Sequence, residues 1–81
     1  NINTQQLVEL SIYPNPTNDL VTISFEGTNA HYAIYDAQGK LIQTSDIVSG
    51  ETVSLRTVQS GVYFFELTTE SGKTVKRVVK N

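Results

Sequence analysis

Lys73, Lys76, Arg77 and Lys80 place four of the chain's six basic residues in its last nine positions, a stretch without an acid. Cations gathered in this way could bind phosphate, steer an acidic partner, or keep a strand edge soluble. Ahead of them, Lys40 and Arg56 stand against all eight carboxylates, so a formal −6 precedes a formal +4. Phosphate is the weakest of these options. The whole chain carries a formal charge of −2 and no aromatic residue is interleaved among the terminal cations, so a nucleic-acid partner is not expected.

Catalytic chemistry has little to draw on. The one histidine, His31, stands at a loop-to-strand boundary and no Gly-x-Ser-x-Gly elbow occurs, so a Ser-His-Asp arrangement would need scattered residues. His31 is expected as an exposed loop residue. Transition metals need clustered His, Cys or carboxylate, and the sequence shows no such spacing. Asp19, Asp36 and Asp46 are hard-cation donors by type, but each sits where a turn former is expected, and the turn reading is preferred. No catalytic residue, metal or cofactor is therefore expected.

The elements that must carry the cations follow from size and pattern. A chain of 81 residues makes one domain and buries only about 60 to 65% of its unfolded surface. With 38% apolar and 17% charged residues it reads as globular. It lacks cysteine, so disulfides and thiolate sites are excluded, and no apolar run is long enough to span a membrane. Asn1 to Gln6 is polar, without the basic start and apolar stretch of a signal peptide. It is expected to be a linker from an upstream domain, with residues 7 to 81 as the folded unit, and an export signal would lie on sequence ahead of it. Asn15-Pro16-Thr17 is not a glycosylation acceptor, because proline fills the excluded middle position.

Apolar residues recur with period two between turn clusters, the pattern of half-buried strands. Val8 to Tyr13 is the first run, with Val8, Leu10 and Ile12 on one face. Pro14 to Asp19 breaks the ladder. Leu20 to Glu26 sends Val21, Ile23 and Phe25 inward. His31 to Asp36 alternates Tyr32 and Ile34 with Ala33 and Tyr35, and Asp36 to Lys40 is a hairpin in which Gly39 takes a positive φ. Leu41 to Ser45 returns, Asp46 to Gly50 is read as a loop, and Glu51 to Arg56 brings Val53 and Leu55 inward. Val62 to Thr69 groups Tyr63, Phe65 and Leu67, and Lys73 to Lys80 closes the chain. Seven short strands without a helical pattern argue for a two-sheet antiparallel β-sandwich, with a small closed barrel as the alternative.

In the last strand, alternation puts Lys76, Val78 and Lys80 on one face and Val75, Arg77 and Val79 on the other. The pattern leaves open which face is inward. It also leaves open whether the lysines merely guard an edge or serve a partner that pairs with the strand.

Four elements taken in order decide between these readings. Tyr13-Pro14-Asn15-Pro16 opens the folded part; Ile34-Tyr35-Asp36 with Gly39-Lys40-Leu41 makes a hairpin; Gly61-Val62-Tyr63-Phe64 starts a late strand; and a Lys-Arg strand ends the chain. The sequence resembles the C-terminal sorting domain of the type IX secretion system, type A, from about Leu7 to Asn81. The resemblance implies a seven-stranded immunoglobulin-like β-sandwich, non-catalytic, following a cargo domain through the periplasm. Its implied partners are the outer-membrane translocon and a surface peptidase that removes the domain, leaving the cargo at the cell surface or outside the cell. The family's motif positions fall on Pro14, Asn15, Pro16, Gly39, Lys40, Gly61 and Tyr63, read mainly as structural, and on Lys76, Arg77 and Lys80. With Lys73, these last are the expected translocon contacts; membrane insertion is not expected. A carbohydrate-binding or adhesive module of an exported protein is the rival reading, because Tyr35 and Phe64 alternate away from the inward faces.

Overall fold

The computed structural model describes residues 9–70 and 72–81. Seven strands follow one another: β1 (Leu10–Tyr13), β2 (Leu20–Phe25), β3 (Asn29–Asp36), β4 (Leu41–Val48), β5 (Glu51–Ser54), β6 (Gly61–Thr69) and β7 (Gly72–Lys80). They form two antiparallel sheets, one ordered β1-β2-β5 and the other β4-β3-β6-β7. Two separate sheets replace the closed barrel and make an immunoglobulin-like sandwich.

The period-two residues meet between the sheets. Val21, Ile23, Ile34, Leu55, Phe65, Leu67 and Val78 are each at most 1% exposed. Val21 and Ile23 come from the three-stranded sheet, and Ile34, Phe65, Leu67 and Val78 from the four-stranded one. Tyr63 joins them, and its hydroxyl donates to the Gln59 carbonyl at 2.5 Å. A tyrosine near the start of the penultimate strand, tied to the backbone just upstream, is the corner found in immunoglobulin sandwiches.

The Asp36–Lys40 hairpin is built as its sequence requires. Gly39 has φ 89°, a conformation that costs a residue with a Cβ. Its N–H donates to the Asp36 carbonyl, and the Asp36 carboxylate accepts the N–H groups of Gln38 and Lys40.

Boundaries differ from the sequence reading by two residues or more in β3, β4 and β5, and by one in β2, β6 and β7. Asp46 and Ile47 are not loop: β4 runs to Val48, because Ile47 continues the alternation and drops into the core opposite Ala30. β3 begins at Asn29, two residues before His31. β5 stops at Ser54, yet Leu55 stays fully buried, its N–H held by the Asp19 carbonyl at 2.8 Å. The inward placement of Val8 and the linker over Asn1 to Gln6 lie outside the described residues.

Candidate functional site

β7 is an edge strand, paired with β6 from Gly61↔Lys80 to Thr69↔Gly72. Val78 fixes its orientation. That side chain is fully buried while Val75 is 52% exposed, so Lys76 and Lys80 share the inward side with Val78, and Lys73 and Arg77 lie on the outer face. The face left open by the sequence pattern is thereby assigned. The four basic residues are not one patch, because the pleat sends successive side chains to opposite sides.

Their environments also differ. Lys80 is half-buried, and its ammonium donates to the Val58 carbonyl at 2.6 Å, which ties the end of β7 to the β5–β6 connection. Lys73 lies 3.7 Å from the Glu66 carboxylate, across the β6–β7 pair. Lys76 and Arg77 are exposed, and among the described residues neither side chain has an ionic or hydrogen-bonding partner.

The Pro14-Asn15-Pro16 segment does more than break a ladder. Both prolyl bonds are cis. Asn15 Nδ2 donates to the Arg77 carbonyl at 2.9 Å, and Asn15 Oδ1 accepts the Val79 N–H at 3.0 Å. Thr17 continues the contact, donating its N–H to the Val79 carbonyl and accepting the Asn81 N–H. Its hydroxyl turns back to the Leu20 carbonyl, so Thr17, buried to 2% exposure, is fully bonded. A side-chain amide and one backbone residue thus serve as an extra strand along the end of β7. Sequence reasoning found the motif and missed this role, because the two partners lie more than 60 residues apart.

The remaining motif residues support this frame. Gly61 starts β6 opposite Lys80, Tyr63 anchors it, and Lys40 closes the Asp36 hairpin with an exposed side chain.

His31 lies within β3, between two β4 side chains: Nδ1 is 3.0 Å from Asp46 Oδ1 and Nε2 is 2.6 Å from Thr44 Oγ1. The order hydroxyl, imidazole, carboxylate is that of a nucleophile, base and orienter. The surroundings are not: the Asp46 side chain is 95% exposed, and the Thr44 hydroxyl also lies 2.9 Å from the Tyr32 carbonyl that competes for its proton. This is an exposed cross-strand hydrogen-bond network, in which water competes for each contact. Asp19 bonds Ser54 and Arg56, Asp36 its own turn, and Asp46 His31. Among the described residues no three His, Cys, Asp or Glu side chains gather where an ion would be held. Nor does any helix there have the length and apolarity to cross a membrane.

On the outer face, Tyr35 of β3 stands opposite Phe64 of β6, which stands opposite Arg77 of β7. The two rings are half-buried.

The sequence has recognisable relatives. The chain is 25% identical over 75 residues to Beta-agarase D of Zobellia galactanivorans, a match covering 93% of this chain and 15% of that protein. The chain thus spans a small part of the relative's length. Residues 11–81 match the family described as the secretion system C-terminal sorting domain. That span runs from β1 through the capping segment to the end of β7. The chain therefore belongs to the C-terminal sorting domains of type IX secretion, generally non-catalytic domains that mark a protein for export.

Proposed function

We propose that this domain is a folded address read along the edge of β7. It follows a cargo through the periplasm, is recognised by the outer-membrane translocon through Lys76 and Arg77, with Lys73 at their flank, and is then cut off by a surface peptidase. It acts as that peptidase's substrate and performs no chemistry itself. The agarase relative, in which a segment of this size is 15% of the chain, fits a domain carried by a larger protein.

One observation carries the reading. Lys76 and Arg77 are exposed and, among the described residues, unpartnered in a strand whose end is held by Asn15, Thr17 and the Lys80 ammonium. The fold uses several groups to fix the strand and leaves these two cations for something else. Charges placed in this way speed and orient encounter with an acidic partner.

The test is export of a reporter fused ahead of the domain in a strain with the translocon. Lys76→Ala with Arg77→Ala should leave the domain folded and strand the reporter in the periplasm. Export at the full level would refute the role given to these cations.

A carbohydrate-binding module remains the second reading, favoured by the Tyr35–Phe64 pair, since adjacent aromatic faces are what sugar stacking uses. Glycan-array binding lost on Tyr35→Ala would support it; a blank array would retire it.

A further inference from the structure

The outer edge of β7 has two halves. The Arg77 carbonyl and both backbone groups of Val79 are taken by Asn15 and Thr17, so the odd-numbered residues of β7 face away from β6. By the same alternation the N–H and C=O of Lys73 and Val75 and the N–H of Arg77 point outward. Among the described residues nothing bonds to them. One half of the edge is sealed and the other is open.

A groove of about 410 Å³ lies beside the open half, lined by Ile12 and Tyr13 of β1 and by Lys76 and Arg77. Among the described residues its far wall is also a bare edge. Glu9 bonds Glu26 and Ser11 pairs with Ser24 on the β2 side, so Leu10 and Ile12 turn their backbone groups away from β2.

We propose that the open half of β7 is a strand-addition site that takes an extended acidic segment of the export machinery into the ladder from Lys73 to Arg77. This rests on the sorting function proposed above and adds how the strand is read: through its backbone, with charge selecting the partner. The ladder has already begun, since Thr17 bridges Lys80 in the parallel sense. An incoming strand extends it toward Gly72 and stops where Asn15 begins. Side chains of an added strand alternate between the groove, beside Lys76, and the outer face, beside Val75 and Arg77. Acids therefore belong beside Lys76 and Arg77, and an apolar residue beside Val75, which is 52% exposed. The other sheet edges repel such a strand: β4 contains Asp46, β5 starts at Glu51, and β1 follows Glu9.

The probe is a synthetic peptide repeating Val-Glu-Glu, which sets valine beside Val75 and glutamates beside both Lys76 and Arg77, titrated into the full chain while amide hydrogen exchange is followed residue by residue. Exchange at Val75 and Arg77 should slow by roughly tenfold or more, and a lysine–valine peptide should leave it unchanged. Val75→Pro removes an N–H that points away from β6 and so keeps the internal ladder; it should weaken peptide binding by roughly tenfold or more. Lys76→Glu with Arg77→Glu, which retains every backbone donor, should reverse the preference to the lysine–valine peptide. Equal binding of both peptides, protection appearing on β4 or β1 instead, or an unreversed preference would overturn the proposal. In the export assay, full delivery of a Val75→Pro fusion would overturn strand addition and leave the sorting function standing, since the latter is judged by the Lys76 and Arg77 replacements.

Discussion

The carboxamide of Asn15 occupies the place of a strand residue beside Val79: its oxygen accepts the Val79 N–H at 3.0 Å while its nitrogen donates to the Arg77 carbonyl one pleat away. Each bond contributes about 1 kcal/mol, and the exposed site lets water replace part of what is lost. Asn15→Ala should therefore destabilise the domain by about 1 to 2 kcal/mol, read in urea unfolding, with faster amide exchange at Val79. Asn15→Asp keeps the acceptor but sets a carboxylate against the Arg77 carbonyl, and should be no more stable than Asn15→Ala. Unchanged exchange at Val79 in both variants would mean that the amide does not hold the edge.

Tyr63 combines a buried ring with a hydroxyl that reaches the Gln59 carbonyl. Tyr63→Phe keeps the ring and leaves that carbonyl without its partner. The expected loss is about 1 kcal/mol, a fall in Tm of roughly 4 to 8 °C for a domain of this size. A melting point equal to that of the parent would show that water satisfies Gln59 as well as the tyrosine does.

The sandwich was legible because its inward residues obey period two almost without exception: Val21, Ile23 and Phe25, Tyr32 and Ile34, and Tyr63, Phe65 and Leu67 are all buried as the alternation requires. Asp46 misled the reading, since an aspartate beside Ser45 and Ser49 resembles a turn; opposite His31 it is instead a cross-strand partner. The facing of β7 was undetermined, because Val75, Val78 and Val79 fall on both sides of the pleat and only packing against β6 and the opposing sheet chooses Val78. The Asn15 bracket was invisible for a different reason. Local pattern reports turns and faces, and a side chain that bonds a strand 62 to 64 residues away leaves no mark on its neighbours.

Gly39 carries a φ of 89° in the hairpin that starts β4, and the space around it is open. Substitution there meets no neighbour, so any cost is conformational. Gly39→Ala should lose about 1 to 2 kcal/mol through that cost alone, with β3 and β4 still paired by amide exchange. If the stability is unchanged, the turn has moved to another conformation, which the Gly39 N–H to Asp36 bond would reveal by its loss.

Lys80 and Lys76 lie on the same side of β7 and should behave oppositely. The Lys80 ammonium donates to the Val58 carbonyl at 2.6 Å from a half-buried position, whereas Lys76 has no partner among the described residues. Lys80→Met keeps the apolar stem and removes the donor, which should cost about 1 kcal/mol or somewhat more, as a charged donor is lost. Lys76→Met should change stability by less than about 0.5 kcal/mol. Export should fall in the Lys76 variant without any loss of folding. In the Lys80 variant a moderate fall in export should be restored by a stabilising substitution elsewhere in the domain. Equal unfolding midpoints for the two variants would mean that Lys80 is held no more firmly than its neighbour, and both lysines would then be free for recognition.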